Sequence, residues 1–374
     1  MIYLDNSATS YPKPLAVRCC VINSISRCGG NPGRSGHDMS VKAAEMVYEA
    51  REVVARHLNF DYPERVVFTE NATYALNLAI KGLITGPCHV IISNLEHNSV
   101  IRPVVSLNKT FGVEYSVFDA RKPLRDEILK VIREDTRFII CSAVSNVTGV
   151  EVDLQLLSSI ADEYGIGLIL DLSQYLGHKK FDSKRVHFSA LCAPGHKGLL
   201  GITGCGFAVF NKDVSPFPLI DGGSGYNSIS GSMPDDLPER LEAGTLPVHS
   251  IASLKKGIEY IDSYGISCIE NKLSYLCEYT RHKLEELDFV EIYGINNGIV
   301  AFNVIGEPST SVAQTLNENG ICVRGGLHCA PLAHTAYGTL ERGMVRVSFS
   351  LFNKTSDVNR LQHALWLEYK NSRR

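Results

Sequence analysis

Several features that would assign a chain to a common class are missing from this sequence. No run approaches the ~18 uninterrupted apolar residues of a membrane span, so none is predicted. No long basic run is present and the formal net charge is -3, which gives no support to nucleic-acid or anionic-membrane binding. The sequence opens Met1-Ile2-Tyr3-Leu4-Asp5-Asn6 without a basic segment followed by an apolar one. We therefore expect no secretory signal and a cytoplasmic location.

Cysteine is plentiful, but the patterns that disulfide and metal frameworks use are missing. The eleven cysteines include no Cys-x-x-Cys pair. Several, such as Cys141, lie in apolar runs, so most are predicted to be small buried hydrophobes in a reducing cytosol. A metal site at His328, Cys329 and His334 would lack a fourth ligand and a recognisable spacing, so no metal is predicted. Cys329 stays the candidate for a functional thiol.

Internal repeats, low-complexity segments and a Gly-x-Gly-x-x-Gly motif in the first strand–helix unit are absent as well. The last absence argues against a dinucleotide-binding protein. What the sequence does have is an alternation of short apolar runs and longer helical patterns between about residues 40 and 210. Such alternation favours a mostly parallel sheet with helices on both faces. The predicted strands are 66–69, 89–93, 113–118, 138–144 and 167–172, and the predicted helices are 40–58, 71–84, 98–111, 123–134 and 153–164.

The pattern changes after about residue 212. A stretch rich in Gly, Ser and Pro covers 221–238 and is too long for a simple connection, which favours a functional loop or an interface. The elements predicted after it are helices at 249–264, 267–287 and 355–370 and strands at 298–304 and 344–350. This profile is typical of a smaller α+β domain.

Lys197 and Asp171 are the residues with the most specific chemistry. Lys197 lies in a Gly- and His-containing turn, Ala193-Pro194-Gly195-His196-Lys197-Gly198, where its amine can form a Schiff base with a carbonyl cofactor. Asp171 ends the apolar run Leu168-Ile169-Leu170 and can lie under a pyridine nitrogen. The non-functional alternatives are that Lys197 is a solvated surface lysine and that Asp171 is an ordinary turn residue. Together the two residues predict pyridoxal 5'-phosphate as cofactor.

The remaining needs of that cofactor have candidates after other predicted strands. Ala72 and Thr73 begin a helix whose free N–H groups and dipole suit a phosphate, and His196 is a second phosphate donor. Gln174 and Asn146 can hydrogen-bond the ring hydroxyl, although Asn146 is equally typical of a turn. His97 can stack on the ring or move protons near it. Parallel sheets bind ligands at the carboxyl ends of their strands, where these residues are expected.

These residues belong to an ordered set of strings that resembles the cysteine desulfurase and selenocysteine lyase group, Suf-type, of the class V aminotransferases. The resemblance covers essentially the whole chain, and the ordered set is far more specific than any one string. The strings are Tyr3-Leu4-Asp5-Asn6-Ser7-Ala8-Thr9-Ser10, Leu95-Glu96-His97-Asn98-Ser99, Asp171-Leu172-Ser173-Gln174, Gly195-His196-Lys197, Glu239-Arg240-Leu241-Glu242-Ala243-Gly244-Thr245, Arg324-Gly325-Gly326-Leu327-His328-Cys329-Ala330-Pro331 and Val345-Arg346-Val347-Ser348-Phe349-Ser350.

The resemblance implies a fold-type I α/β enzyme with a large, mostly parallel seven-stranded sheet domain and a smaller α+β domain. The expected division is 15–255 for the large domain, with 1–14 and 256–374 forming the small one. A homodimer with shared active sites is implied, because Thr245 is similar to a threonine that reaches the phosphate in the neighbouring subunit. The other implied roles are Lys197 as the Schiff-base lysine, Asp171 as the partner of the ring nitrogen, Gln174 as the partner of O3′, His97 as the stacking residue, Thr73 and His196 as phosphate ligands, and Arg346, with Asn146 and His328, as the substrate-binding group.

The reaction depends on Cys329. Nearby Arg324 and His328 can lower the pKa of its thiol from about 8.5. The hypothesis is a cysteine desulfurase that converts L-cysteine to L-alanine and leaves the sulfur on Cys329 as a persulfide, to be passed to an acceptor protein. Selenocysteine lyase, another class V lyase or an aminotransferase stays open as an alternative, and so does a non-catalytic thiol protein without cofactor.

Four positions depart from the pattern that the resemblance leads us to expect. Pro194 stands where many relatives place a serine that also binds phosphate, a change that can weaken cofactor affinity but leaves the lysine in place. Ser7 replaces a common alanine, Ile202 a common proline and Lys354 a common threonine. None of the four excludes catalysis.

Overall fold

A computed structural model of the chain describes residues 1–33, 35–226 and 229–370. Within these ranges the chain forms thirteen strands and eleven α-helices. The strands are β1 (Ile2–Tyr3), β2 (Val66–Thr69), β3 (His89–Ser93), β4 (Glu114–Phe118), β5 (Thr136–Ser142), β6 (Gly167–Asp171), β7 (Ala190–Pro194), β8 (Gly206–Phe210), β9 (Val290–Asn296), β10 (Ile299–Val304), β11 (Ile321–Cys322), β12 (Arg324–Gly326) and β13 (Met344–Ser348). The helices are α1 (Leu15–Arg27), α2 (Asp38–His57), α3 (Ala72–Leu83), α4 (Asn98–Phe111), α5 (Leu124–Leu129), α6 (Leu154–Glu163), α7 (Val248–Tyr264), α8 (Ile266–Glu285), α9 (Ser309–Glu318), α10 (Pro331–Ala336) and α11 (Thr355–Tyr369).

The large sheet has seven strands in the order β2-β8-β7-β6-β5-β3-β4. Strands β4, β3, β5, β6 and β7 pair in parallel, whereas β8 runs antiparallel to both of its neighbours. The predicted α/β fold with a mostly parallel seven-stranded sheet is confirmed. Strands β7 and β8 were not among the predicted strands. The Gly-rich turn at 195–205 lies directly between them, so neither stands out as a strand in the sequence.

Both faces of the central strands of this sheet are covered, which explains why those strands read as continuous apolar runs. Alternate side chains of one strand enter different cores: Leu168 and Leu170 pack in one cluster, and Ile169 packs in the other. The same alternation holds for Ile91 against Val90 and Ile92. A parallel sheet buried on two faces needs apolar residues at every position, and helices on both sides supply the cover. The core strands are therefore rigid supports for whatever follows their ends.

A smaller antiparallel sheet, ordered β12-β13-β10-β9, lies in the C-terminal part of the chain. The N-terminal segment joins it: β1 pairs in parallel with β11, and Asp5 forms an isolated bridge with Ser348. This arrangement has the form that the predicted small domain requires. Its expected boundaries at residues 14/15 and 255/256 stay predictions.

The helix predictions hold to within a few residues except near 123–134, where the helix α5 ends at Leu129 and a turn follows. Five cysteines are buried, fewer than predicted, because Cys19 and Cys268 are exposed on α1 and α8. The 221–238 stretch has no helix or strand in its described residues, and two of its positions, 227 and 228, lie outside them. Among the described helices, none combines the length and apolar character needed to cross a membrane.

Candidate active site

Strands β5, β6 and β7 end side by side, and a cavity opens beyond their carboxyl ends. Register places Ser142 of β5 beside Asp171 of β6, and Asp171 beside Cys192 of β7. The cavity brings together eight of the predicted site residues, which come from five separate stretches of chain. It is lined by Asn71, Ala72, Thr73, Leu76, His97, Ser99, Ser142, Val144, Asn146, Asp171, Ser173, Gln174, Pro194, His196 and Lys197.

Lys197 follows β7 in a tight turn. A Cβ on Gly198 would lie only 2.2 Å from the Leu176 carbonyl oxygen, so glycine is needed for the turn to pack against the segment after β6. Burial, opposed by Asp171 and assisted by Arg346 and Arg324, lowers the pKa of the Lys197 amine to about 8. The amine is therefore deprotonated, and able to act as a nucleophile or base, at a much lower pH than a solvated lysine.

Asp171 is the last residue of β6 and is only 6% exposed. Its Oδ1 accepts a hydrogen bond from the Ser173 backbone N–H at 2.9 Å, which fixes the carboxylate at the strand end. Burial raises the pKa of the thiols of Cys141 and Cys192 well above the ordinary value, so these two neighbours add no charge. A buried carboxylate in apolar surroundings favours a protonated, positively charged partner such as a pyridinium.

Two amide side chains present buried oxygen atoms to the cavity. Gln174 donates through Nε2 to the Ser7 carbonyl at 3.0 Å, and Asn146 donates through Nδ2 to the His328 carbonyl at 2.8 Å. Within the described chain, Gln174 Oε1 and Asn146 Oδ1 have no hydrogen-bond partner. Buried polar atoms are rarely left unpaired in a folded protein. Here a bound molecule with polar groups can satisfy them.

The first turn of α3 forms the end of the cavity suited to an anion. Asn71 caps the helix, with Oδ1 accepting from the Tyr74 N–H at 3.1 Å. A Cβ on Gly206 would lie 2.5 Å from the Asn71 carbonyl carbon, so only glycine lets β8 approach this turn so closely. Free N–H groups and the helix dipole attract a phosphate at this position.

His196 extends this end of the cavity as a neutral donor. Burial, together with the nearby amines of Lys197 and Lys13, lowers the pKa of His196 to about 4. Its Nδ1 is buried and lacks a hydrogen-bond partner among the described residues. The main-chain oxygen of His196 accepts from Lys13 Nζ at 2.8 Å and from Ser10 N–H at 3.1 Å, which anchors the peptide before Lys197.

His97 caps α4 and lines the cavity between the anion end and Asp171. The Ser99 backbone N–H donates to His97 Nδ1 at 3.0 Å. Burial lowers the pKa of His97, and the effect of Lys197 in the same direction is opposed by Asp171. The ring is therefore neutral near neutral pH and can lie flat against a planar cofactor.

Arg346 lies on β13 and is 1% exposed. It donates to Asp5 Oδ1 at 2.7 Å and to the Asn146 carbonyl at 2.8 Å, while its Nε is buried without a partner in the described chain. Arg324 lies beside it in register on β12. Two guanidinium groups on neighbouring strands create a positive region that suits a substrate carboxylate.

Cys329 lies outside the cavity, on the segment between β12 and α10. His328 and Cys329 both adopt left-handed backbone conformations, with φ of 50° and 57°. The Cys329 side chain is exposed, and its carbonyl accepts from the Asn98 N–H at 2.7 Å at the start of α4. The loop is thus held by its backbone while the thiol faces outward.

The structure contradicts the expectation that His328 acts on that thiol through a positive charge. Burial lowers the pKa of His328 well below the ordinary value, and Arg346 adds to the effect, so the ring carries no charge near neutral pH. The ring is 3% exposed and stacks on His334 at 5.8 Å between centroids. His328 also does not line the cavity that holds Lys197; it reaches the site through its carbonyl, which accepts from Asn146.

Thr245 is exposed and does not line the cavity that holds Lys197. Its Oγ1 accepts from Asn31 Nδ2 at 3.2 Å, and it lines a different cavity together with Glu70 and Tyr74. An exposed threonine outside its own chain's Lys197 cavity is in keeping with a role in another subunit's site, which stays a prediction.

Sequence reasoning missed Glu96, a fully buried carboxyl group beside the site. It accepts from Ser142 N–H at 2.9 Å and from Ser142 Oγ at 2.6 Å, and Ser93 Oγ also donates to it. Burial raises the pKa of Glu96 to about 7 in spite of these donors. The available signal was an acidic residue directly before His97 at the end of an apolar run. Asp5, the ion-pair partner of Arg346, was missed as a contact because it is distant in sequence.

Comparison with known proteins agrees with this geometry. The model of the family described as aminotransferase class-V matches residues 2–361. The chain is 31% identical to a probable cysteine desulfurase of Methanothermobacter thermautotrophicus, over 97% of this chain and 94% of that protein. It is 32% identical to a probable cysteine desulfurase of Pyrococcus abyssi, over 96% and 92% of the two chains.

Solved structures give the same answer. The apo structure of a cysteine desulfurase from Thermococcus onnurineus NA1 superposes with a TM-score of 0.91 at 28% identity, covering 99% of this chain and 94% of that one. The cysteine desulfurase CsdA from Escherichia coli superposes with a TM-score of 0.88 at 26% identity, covering 97% and 93%.

Proposed function

Since the chain belongs to the aminotransferase class-V family, we propose that it is a pyridoxal phosphate-dependent cysteine desulfurase. It converts L-cysteine to L-alanine and transfers the sulfur to Cys329 as a persulfide. The observation that carries this function is the pairing of a buried amine with a buried carboxylate, Lys197 and Asp171, at neighbouring strand ends in one cavity.

The residues present fit the cofactor. Asp171 would hold the ring nitrogen, His97 would face the ring, and the first turn of α3 with Thr73 and His196 would hold the phosphate. Gln174 and Asn146 supply buried oxygen atoms that have no partner within the described chain. When bound, the cofactor supplies an electron sink for bond cleavage at the substrate α-carbon. Pro194 lines the cavity and brings no hydroxyl, so the phosphate site is built without that donor.

The chain's own residues then divide the work. Arg346 binds the substrate carboxylate and orients the amino acid, and its Nε, which has no partner among the described residues, is available for this contact. Lys197 removes the α-proton, a task for which its lowered pKa of about 8 is suited. The Cys329 thiolate attacks the substrate sulfur: an S–S bond forms, the carbon–sulfur bond breaks, and its electron pair stays with carbon. That carbon takes up a proton, and Lys197 returns a proton to the α-carbon, which completes alanine.

Two kinds of partner belong to this function, a second copy of the chain and a sulfur-acceptor protein. Thr245 is exposed and does not line the Lys197 cavity of its own chain, in keeping with a homodimer in which each subunit completes the phosphate site of the other. The exposed Cys329 supports delivery of sulfur to an acceptor protein. We place the reaction in the cytoplasm.

One assay tests the function. The purified protein is saturated with pyridoxal phosphate, and alanine and sulfide are measured from L-cysteine in the presence of a thiol reductant. Equal amounts of both products are expected, and Lys197→Ala should lose both together with the visible absorbance of the bound cofactor. L-selenocysteine and a keto acid with an amino donor are run in parallel. Turnover of either alternative substrate without turnover of L-cysteine would overturn the desulfurase assignment.

A further inference from the structure

Ser99 lies in the cofactor cavity without a role so far, yet it touches two residues that do have one. Its Oγ is 2.8 Å from Thr73 Oγ1 and 2.9 Å from His97 Nδ1. Its backbone N–H donates to the same Nδ1 at 3.0 Å. All three residues line the cavity. A continuous chain of hydrogen bonds therefore joins the anion end of the cavity to the imidazole ring.

The direction of one of these bonds is fixed by chemistry. A backbone N–H can only donate, so His97 Nδ1 must accept and carries no proton. A neutral imidazole then has its proton on Nε2. His97 in this state donates through Nε2, the nitrogen that Ser99 does not contact, and it cannot accept a proton there.

The hydroxyl groups have two possible directions. Each of Thr73 and Ser99 has one hydroxyl proton and can accept at the same oxygen. With no anion at Thr73, the Thr73 hydroxyl can donate a hydrogen bond to Ser99 Oγ, and the Ser99 hydroxyl then donates one to His97 Nδ1. When an anion binds at Thr73, the Thr73 hydroxyl donates its hydrogen bond to the anion. The Ser99 hydroxyl then donates to Thr73 Oγ1. His97 Nδ1 then keeps only the backbone N–H, and the number of protons is unchanged.

We propose that Ser99 is a positioning residue that holds His97 in the Nε2–H form and transmits phosphate binding at Thr73 to His97 through reversal of the two hydroxyl groups. The inference rests on the proposed function, because it takes Thr73 as the phosphate residue. It deepens that function by assigning His97 as a hydrogen-bond donor at Nε2 and by linking the state of its other nitrogen to the occupancy of the anion end.

A simpler role is helix capping, since His97 is the N-cap of α4 and Ser99 lies in its first turn. Capping alone would stabilise the helix but would not make His97 respond to an anion at Thr73. The two roles are therefore separated by a readout on the ring nitrogens rather than by stability.

The test is nitrogen NMR of the cofactor-free protein labelled with ¹⁵N-histidine, with inorganic phosphate as the probe. His97→Gln identifies the His97 signals among the twelve histidines. In the wild type we expect the ¹⁵N chemical shift of Nδ1 to be that of an unprotonated nitrogen and the shift of Nε2 to be that of a protonated one. The Nδ1 chemical shift should change when phosphate is added. Ser99→Ala keeps the backbone N–H, so the Nε2–H form should persist while the response to phosphate is lost.

Controls separate the outcomes. Thr73→Val should also lose the response, and Ser106→Ala on the same helix should keep it. A protonated Nδ1 in the wild type, an Nδ1 that phosphate does not move, or a full response in Ser99→Ala would each overturn the inference. Because these signals need neither pyridoxal phosphate nor cysteine, a failure of the desulfurase assay would leave them intact and would be recognised as a failure of the function alone.

Discussion

Lys197 and Cys329 are both nucleophiles, but the protein surrounds them in opposite ways. Lys197 follows a central strand of the large sheet, in a cavity where burial and two arginines lower the pKa of its amine to about 8. Cys329 lies on an exposed segment with left-handed backbone, held through its carbonyl at the start of α4. Proton removal needs a fixed, desolvated amine, whereas sulfur must leave the enzyme. The two surroundings match these two tasks.

Arg346 and the segment that starts α4 connect the two regions. Arg346 lowers the pKa of both Lys197 and His328, and it donates to the Asn146 carbonyl. His97 lines the cavity, and the next residue, Asn98, donates to Cys329. The enclosed amine and the exposed thiol are therefore neighbours of the same short segments, although they lie more than a hundred residues apart in sequence.

The largest effect is expected where the exposed region alone is changed. Cys329→Ser should lower sulfide formation from L-cysteine by at least ~10³-fold, because a hydroxyl cannot accept the substrate sulfur. The absorbance of the bound cofactor should remain, since Lys197 is untouched. Cys268→Ser, which removes another exposed thiol on α8, is the matched control and should keep full turnover. Equal activity of the two variants would show that Cys329 has no part in sulfur transfer.

Arg346 tests the connection between the regions. Arg346→Lys keeps a positive charge but loses the planar pair of donors, so kcat/KM for L-cysteine should fall by roughly 10- to 100-fold, mainly through KM. Alkylation of Cys329 by iodoacetamide should keep its rate, because the thiol faces outward. Steady-state kinetics and mass spectrometry measure the two quantities. An unchanged KM in Arg346→Lys would show that Arg346 does not bind the substrate carboxylate.

A third prediction concerns stability of the cofactor-free protein. Burial lowers the pKa of Lys197 from 10.5 to about 8, so folding below pH 8 must desolvate a charged amine. Lys197→Met removes this cost and should stabilise the fold at pH 7, by on the order of 2 kcal/mol. The unfolded chain binds the proton more tightly, so the wild type regains stability as pH rises from 8 towards 10.5, and the difference should shrink. Urea unfolding at several pH values measures it; a difference independent of pH would contradict the burial of a charged amine.

The sequence predicted what depends on local pattern and missed what depends on distant contacts. Lys197, Asp171 and His97 were found because each ends or follows an apolar run, and parallel strands bring such ends to one edge. Strands β7 and β8 were missed because the Gly-rich turn between them interrupts the apolar pattern that marks the other strands. The pairing of Asp5 with Arg346, the burial of Glu96 and the neutral state of His328 depend on packing between segments far apart in sequence. No spacing rule predicts them.

The smallest effect separates a helix cap in the site from one outside it. Asn71 caps α3 at the phosphate end of the cavity, and Asp153 caps α6 away from that cavity, its Oδ1 accepting from Leu156 N–H at 3.0 Å. Asn71→Ala and Asp153→Ala should each cost about 1 kcal/mol in the free energy of unfolding. Only Asn71→Ala should also weaken pyridoxal phosphate binding, because the first turn of α3 would no longer be held in place for the anion. Thermal unfolding and cofactor titration measure the pair. Equal cofactor affinity in both variants would mean that phosphate binding does not depend on the Asn71 cap, and would leave the side chains of His196 and Thr73 to hold the anion.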